Sequence, residues 1–322
     1  LLSDGGGEGD LRRAMWAGAR ECLAWPVQAA RLAAVVRTVH EEQRRRRSTS
    51  FAEAADPQNM ARIIAVSGAK GGVGKTTLAV NLALALLMET GQPTVLMDLY
   101  TQFGDVAMLL NLSPRRSLAE LAARPAAVDG ALLDDHFERH ESGLRVLIGA
   151  RSPAALDAIS APFLDRVLGL LKGSARFVVL DVPPILHPTT LHALSHATQV
   201  LLTANLYDLT TAKDTRLLLE AIEGRYVPRE KLSVILNRVS RQNRLCVPDI
   251  EEALGRPAAA QVPNDGKIVP HSINQGAPFV LSQPHSAVAQ SVRHLACQVA
   301  ADGPRVPDAG AGRSGFWRRW AR

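Results

Sequence analysis

A glycine-rich loop between an apolar strand and a long helix constrains the fold of this chain more than any other feature. Residues 63–67 form the apolar run, and residues 68–77 follow it as Gly-Ala-Lys-Gly-Gly-Val-Gly-Lys-Thr-Thr. The next residues place Leu78, Leu82 and Leu86 on one face of a helix. A buried strand that passes through glycines directly into a helix is typical of a parallel sheet with helices packed on it.

The rest of residues 61–301 repeats this alternation of apolar strands and amphipathic helices. Strands are predicted at residues 62–67, 94–98, 145–148, 177–181, 199–204, 232–237 and 259–262. The clearest helices are predicted at residues 76–90, 162–172, 211–224 and 286–301. The pattern predicts the α/β class, with a parallel, doubly wound sheet and helices on both of its faces.

The glycine-rich loop has the chemistry of a phosphate-binding site. Glycines let successive backbone N–H groups curl around phosphate oxygens, and the helix N-terminus adds a favourable dipole. Lys75 is expected to reach the β- and γ-phosphates, and the Thr76 hydroxyl is expected to coordinate Mg²⁺. Only six of the 37 basic residues are lysines, yet Lys70 and Lys75 both lie here, whereas Ala69 replaces the usual first glycine. The predicted binding residues are Lys70, Gly71, Gly72, Val73, Gly74, Lys75, Thr76 and Thr77.

Residues 70–77, with a lysine at their start, resemble the deviant Walker A motif of the ParA/MinD group of ATPases. The resemblance implies a P-loop NTPase sheet, ATP and Mg²⁺ as ligands, and a homodimer that sandwiches ATP and separates after hydrolysis. In that group the lysine matched here by Lys70 reaches across the dimer to the partner's phosphates. The implied reaction is attack of water on the γ-phosphate, which yields ADP and phosphate.

Two aspartates that end predicted strands extend this resemblance. Residues 95–98 resemble the switch I motif and end at Asp98, whereas residues 178–184 resemble the Walker B and switch II motif and contain Asp181. A carboxylate at the carboxyl end of a parallel strand, beside the phosphate loop, lies where a metal ion needs it. The predicted metal ligands are Thr76 and, through water, Asp181. The predicted catalytic residues are Lys70, Lys75, Asp98 and Asp181.

Two later segments resemble the base-binding parts of the same group. Asn237 follows a predicted strand, and Pro263 and Asp265 flank a second loop, so all three are predicted to contact adenine. Each segment has the composition of an ordinary turn as well. The iron-protein branch of this scaffold holds a cluster with cysteines, but Cys22, Cys246 and Cys297 lie far from both switch motifs in the sequence, which excludes that branch.

Residue 100 departs from the family pattern. The group has Asp-x-Asp after the second strand, and its second carboxylate helps to position or activate the attacking water, but this sequence reads Asp98-Leu99-Tyr100. Tyrosine, with a reference pKa of about 10, is no base near neutral pH. We therefore expect ATP binding to be intact and hydrolysis to be slow or absent. The alternative is that Asp98 or a water network suffices for the reaction.

The segments downstream narrow the resemblance to a subgroup. Residues 101–107 and 112–118, together with residues 262–267 and 273–278, resemble the TadZ/CpaE ATPases of Flp/Tad-type pilus assembly. The resemblance implies an ATP-dependent switch that localises or organises the pilus machinery and binds its secretion components. Two alternatives stay open: a ParA-like DNA-partitioning or MinD-like positioning ATPase, and a scaffold that binds ATP without hydrolysing it.

The domain organisation follows from composition and from a second, partial resemblance. Residues 1–47, with a predicted helix at 11–17, a short strand at 20–24 and a helix at 28–43, resemble the last third of a degenerate response-regulator receiver, truncated at its N-terminus. Residues 48–60 are predicted to be a linker and residues 61–301 the ATPase domain. Residues 302–322 are predicted to be a flexible basic tail with an aromatic end.

Charge and hydropathy indicate the compartment and the partners. The chain has a net charge of +6, but residues 61–301 carry 23 basic and 21 acidic residues, which does not favour nucleic acid as a partner. No apolar run approaches the roughly 18 residues of a membrane span, so a cytoplasmic location is expected. The closing segment from Phe316 to Arg322 mixes tryptophans with arginines, which suits a peripheral contact at the inner face of a membrane or at a cell pole. The run at residues 44–47 is a second basic segment that could touch lipid or nucleic acid.

Overall fold

A computed structural model describes residues 2–3, 23–24, 26–36, 38, 61–100, 103–150, 159–206, 209–240, 242 and 245–301. The chain divides into two compact units, residues 1–55 and 56–322, and the division falls within the predicted linker. In the first unit Leu2–Ser3 pairs in parallel with Leu23–Ala24, which is part of the predicted short strand. Residues 29–36, within the predicted helix at 28–43, are helical, and the apolar side chains of Leu32 and Val36 are exposed.

The predictions for residues 11–17, for the arginines at 44–47, for the linker at 48–60 and for the tail at 302–322 lie outside the described residues. Within the described residues, no helix is long and apolar enough to cross a bilayer.

An eight-stranded sheet organises the second unit. The strands are β1 (Arg62–Ser67), β2 (Thr94–Asp98), β3 (Glu138–Arg139), β4 (Arg145–Leu147), β5 (Phe177–Asp181), β6 (Gln199–Asn205), β7 (Leu232–Val239) and β8 (Ala258–Pro263). Their order across the sheet is β8-β7-β6-β1-β5-β2-β4-β3, and every neighbouring pair is parallel except β3 and β4. The chain therefore crosses from strand to strand through helices, as a parallel sheet requires.

Helices cover both faces of this sheet. They are α1 (Lys75–Thr90), α2 (Val106–Leu109), α3 (Leu118–Ala122), α4 (Gly130–Asp135), α5 (Ala161–Lys172), α6 (Pro188–His196), α7 (Leu209–Ile222), α8 (Val247–Leu254), α9 (Ile268–Gln275), α10 (Phe279–Ser282) and α11 (Ala287–Ala301). Two separate apolar clusters form the core, one on each side of the sheet. The architecture confirms the predicted doubly wound α/β fold.

Helix α1 is the central helix of the unit, and every residue from Leu78 to Leu86 is buried. It packs against α11 on one side and against β5 in the sheet. A helix that is apolar all round is stable only inside a protein, so its N-terminus and the loop before it are held firmly. The phosphate loop is thus anchored by a rigid element at each end, β1 before it and α1 after it.

Candidate functional site

The predicted phosphate loop makes a tight turn at the carboxyl end of β1, at the centre of the sheet. Gly72 and Gly74 adopt left-handed backbone angles, with φ of 75° and 94°, which favour glycine. A Cβ atom on Gly68 would lie 2.6 Å from the carbonyl oxygen of Thr203, and one on Gly74 would overlap the amide nitrogen of Asn237. Gly68, Gly72 and Gly74 are therefore required by the backbone of this loop and by its close neighbours.

Lys75 and Asp181 are buried side by side under the loop. Lys75 is 3% exposed, and its ammonium donates a hydrogen bond to the backbone oxygen of Lys70 at 2.6 Å. Burial lowers the pKa of Lys75, and the nearby Asp181 carboxylate opposes this effect. Burial raises the pKa of Asp181 to about 7, although the neighbouring Thr76 hydroxyl and Lys75 lower it. The Thr76 hydroxyl lies close to the Asp181 carboxylate, but no donor in the described part of the chain makes a well-formed hydrogen bond with either carboxylate oxygen.

Asp98 lies directly beside Asp181, because the two residues are register partners on the neighbouring strands β2 and β5. Asp98 is fully buried, and its Oδ1 accepts a hydrogen bond of 2.8 Å from the backbone N–H of Tyr100. Burial, and then the charge of Asp181, raise the pKa of Asp98 well above its usual range. Two carboxyl groups that are buried side by side do not ionise together easily, so the pair favours the binding of a proton or a cation.

Tyr100 and Asp105 complete this acidic side of the site. Burial and the charges of Asp181, Asp98 and Asp105 raise the pKa of the Tyr100 phenol, so the side chain stays neutral. The charge of Asp105 also raises the pKa of both buried aspartates, so this carboxylate lies near them. Asp105 was not predicted as a site residue, because it lies seven residues beyond Asp98 and outside the motif.

Lys70 is held by helix α7 within the same chain. Its ammonium donates a short hydrogen bond to the Thr210 hydroxyl and lies 3.3 Å from Oδ2 of Asp214. The ammonium and the carboxylate are both about one third exposed, so this ion pair is accessible to solvent. Neither Thr210 nor Asp214 was predicted as a site residue, since only the folded chain brings α7 next to the loop.

The predicted base-binding residues line one cavity of about 410 Å³ beside the loop. Asn237 donates a hydrogen bond to the backbone oxygen of Val73 at 2.8 Å and accepts one from the N–H of Arg238 at 2.9 Å. Pro263 and Asp265 also line this cavity, together with Gly74 and Thr77. Asp265 has a structural task too, because its Oδ1 accepts hydrogen bonds from the first backbone N–H groups of α9.

The structure thus brings all the predicted site residues to one edge of the sheet. The loop offers backbone N–H groups and a lysine to an anion, and the cavity next to Asn237 extends from its end. The two buried, unpartnered oxygens of Asp181, next to the Thr76 hydroxyl, fit a hard divalent cation such as Mg²⁺. The donor set therefore suits a nucleotide with its magnesium ion.

Comparisons with known proteins agree with this geometry. The AAA domain family model matches residues 61–224. The septum site-determining protein MinD of Synechocystis sp. is 28% identical over 255 residues, which cover 77% of this chain and 92% of that protein. A ParA family ATPase from Chlorobium tepidum shares the fold with a TM-score of 0.69 and 21% identity, over 74% of this chain and 98% of that one. MinD from Pyrococcus horikoshii, solved with Mg-ADP, has a TM-score of 0.65 and 24% identity, over 74% of this chain and 96% of that one.

Proposed function

This chain belongs to the AAA domain family and to the ParA/MinD group of P-loop ATPases, and from this premise we propose that it binds ATP with Mg²⁺ as a dimerisation switch. The observation that carries the proposal is the buried pair of Lys75 and Asp181 under a loop whose glycines have left-handed angles. A phosphate chain would meet backbone N–H groups and the two lysines. The magnesium ion would be held by Thr76 and, through water, by Asp181. The base would enter the cavity beside Asn237.

The switch itself depends on Lys70. Its ammonium is partly exposed and bound to Asp214 and Thr210, so it can exchange these partners for a phosphate without crossing the core. The switch II segment after β5 exposes the apolar side chains of Ile185 and Leu186, which are 59% and 48% accessible. An ATP-sandwiching homodimer would give Lys70 a phosphate of the partner's nucleotide and would cover this apolar segment.

Hydrolysis is proposed to be slow. The attacking water needs an acceptor or a positioning carboxylate near the γ-phosphate, and Tyr100 replaces one carboxylate with a neutral phenol. Burial beside Asp181 raises the pKa of Asp98, so a smaller fraction of this side chain is ionised and able to accept a proton from water. The replacement of one carboxylate by Tyr100 also favours a second candidate function. In it the protein is a scaffold, and ATP holds the dimer together without being hydrolysed.

Two lysine variants test the switch. We expect Lys75→Ala to abolish ATP binding, because it removes the buried cation of the loop, and Lys70→Ala to leave monomeric binding within a few fold while it prevents the ATP-dependent dimer. Fluorescent-nucleotide titration measures binding, and sedimentation velocity with and without ATP measures dimerisation. A Lys213→Ala variant is the matched control. This lysine lies on α7, the helix that holds Lys70, and it is highly exposed. A Lys70→Ala protein that still dimerises with ATP would contradict the assigned role.

At a finer level, we propose that the switch localises or organises Flp/Tad-type pilus assembly. The support is the resemblance of residues 101–107, 112–118, 262–267 and 273–278 to TadZ/CpaE proteins. The first and the last of these stretches overlap α2 and α9, which contact each other, and a Cβ on Gly276 would lie 2.8 Å from the backbone oxygen of Met108, the residue after the first stretch. Affinity capture tests this proposal, with the parent protein as the bait and the Lys70→Ala protein as the control bait. ATP-dependent capture of pilus secretion components supports it, and capture of partition-site or cell-division proteins instead would contradict it.

A further inference from the structure

Two histidines and one aspartate form a cluster between α5 and α6, the helices that come before and after β5 in the sequence. His192 and His196 are four residues apart on α6, so they lie on the same face of that helix. Asp165 lies on the neighbouring helix α5. Its Oδ1 atom is 2.8 Å from Nε2 of His192 and 2.8 Å from Nε2 of His196. None of these residues belongs to the nucleotide site described above.

The arrangement matches the demands of a transition-metal ion. One ligand atom from each of the three side chains lies within 4.8 Å of the other two. Zinc binds imidazole nitrogens and carboxylate oxygens at about 2.0–2.2 Å, so tetrahedral ligand atoms stand about 3.4 Å apart. Small side-chain rotations suffice to bring the two nitrogens and the oxygen from 2.8 Å to that separation. The two imidazole rings already meet edge to face, with centroids 4.6 Å apart.

We propose that Asp165, His192 and His196 bind a divalent transition-metal ion, of which Zn²⁺ is the probe, and that the bound ion clamps α5 to α6. Two imidazoles and one carboxylate suit zinc, nickel or cobalt rather than magnesium or calcium. The side chains are 28–48% exposed, which leaves the remaining coordination position open to water.

The charge states of the cluster agree with this assignment. The two histidines lower the pKa of Asp165, so its carboxylate is ionised at neutral pH. Burial, the neighbouring His192 and the charge of Lys172 lower the pKa of His196, so this imidazole is neutral. A metal ion binds the ionised carboxylate and the neutral imidazole.

The position of the clamp gives it a structural consequence. Helix α6 begins directly after residues 182–187, the segment that follows Asp181 at the end of β5. The Thr189 hydroxyl in the first turn of α6 already donates a hydrogen bond of 2.9 Å to the backbone oxygen of Ile159, just before α5. A metal ion on Asp165, His192 and His196 would add a second and stronger connection between the same two segments.

Zinc titration of the full, untagged chain tests the proposal. The substitutions Cys22→Ser, Cys246→Ser and Cys297→Ser are made in every protein tested, so that no thiol competes for the metal. The buffer contains millimolar Mg²⁺ but no nucleotide. We expect one equivalent of Zn²⁺ to bind, measured by competition with a chromophoric chelator. His192→Ala, His196→Ala and Asp165→Asn should each weaken binding by at least tenfold, and the double histidine variant should abolish it.

Two matched variants separate this site from the alternatives. His294→Ala removes an exposed helical histidine on α11, and Asp181→Asn removes the proposed magnesium carboxylate; both should keep the zinc affinity of the parent protein. Circular dichroism and Co²⁺ absorption spectra, with bands typical of nitrogen and oxygen ligands, show that the variants are folded and which atoms bind. Equal zinc affinity in the parent protein and in the double histidine variant would show a hydrogen-bonded cluster only and would overturn the proposal.

Discussion

At the scale of single residues, Asp181 shows how this site trades stability for chemistry. A carboxylate that is buried without hydrogen-bond partners from the described residues is costly, and its pKa of about 7 expresses that cost. The same two oxygens are what a magnesium ion or its water shell needs. The strain in the ligand-free protein is therefore a consequence of preparing the site for a cation.

Asp181→Asn should consequently stabilise the nucleotide-free protein in a pH-dependent manner. The folded pKa of about 7 exceeds the reference value of 3.8, so the folded state binds the proton more tightly, and this stabilisation is lost as the pH rises from about 4 to 7. The variant should gain little at pH 3, roughly 2 kcal/mol at pH 5 and on the order of 4 kcal/mol at pH 8, as upper values. Urea unfolding in EDTA at several pH values measures the difference. A difference that does not change with pH would contradict this account. Asp135→Asn is the matched control, because Asp135 is exposed and its charge is not among those that shift the pKa of Asp181.

Tyr100→Asp should raise ATP turnover by tenfold or more, because it restores a carboxylate beside Asp98 and the proposed nucleophile. Tyr100→Phe should leave turnover unchanged, since the neutral phenol is not expected to take a proton. Steady-state phosphate release at saturating MgATP measures both rates. If the parent protein already turns over at the rate of Tyr100→Asp, the hypothesis of slow hydrolysis is wrong.

At the scale of elements, the close approach of β7 limits which residues the phosphate loop can contain. Gly74→Ala should abolish nucleotide binding and cost about 1–3 kcal/mol of folding free energy, because the φ of 94° is unfavourable for alanine and its Cβ would overlap the Asn237 amide. Gly143→Ala is the matched control. Gly143 has a φ of 91°, but a Cβ added there would have no neighbouring atom within 4 Å, so the substitution adds only backbone strain.

Nucleotide titration and urea unfolding distinguish the two alanine variants. We expect Gly143→Ala to lose about 1 kcal/mol of stability and to bind ATP normally. A Gly74→Ala protein that binds ATP as well as the Gly143→Ala protein would show that contact with Asn237 does not shape the loop.

Local sequence patterns predict the strands and helices that carry the site. They fail for elements whose presence or bounds depend on tertiary contacts. The bounds of β1, β2 and β5 are confirmed to the residue, because these central strands are short apolar runs with clear ends. Strand β3 was missed, since two residues at a sheet edge leave no periodic signal, whereas its antiparallel partner β4 was predicted. The predicted strand at 145–148 ends one residue earlier, and helix α7 begins two residues earlier and ends two residues earlier than predicted.

The site shows the same division. Loop chemistry and strand ends led to the predictions of Lys75, Thr76, Asp98 and Asp181, which the fold brings to one edge of the sheet. The partners of Lys70, by contrast, depend on where α7 packs. The cluster of Asp165 with His192 and His196 was not predicted either. Its aspartate lies 27 residues before the first histidine, and only the packing of two helices brings them together.

At the scale of the whole molecule, charge decides between the proposed positioning switch and a DNA-partitioning ATPase. Binding to nonspecific DNA relies on releasing counterions from phosphates, and each neutralised phosphate adds about −0.9 to the slope of log affinity against log salt. Residues 61–301 carry 23 basic and 21 acidic residues, so the ATPase unit offers little excess positive charge, even when a dimer doubles its surface. The remaining excess lies mainly in the last 21 residues, five of which are arginines and two aspartates.

We therefore expect the ATP-bound protein to show no retention of nonspecific duplex DNA at about 0.15 M salt, and a shallow salt slope below it. Fluorescence anisotropy across a salt series, with and without ATP, measures both quantities. A variant with Arg318, Arg319 and Arg322 replaced by Gln is the matched control, since any weak binding at low salt should come from these residues. Tight ATP-dependent binding with a slope of about −5 or steeper, retained in that variant, would require a basic surface on the ATPase unit and would favour DNA partitioning over pilus positioning.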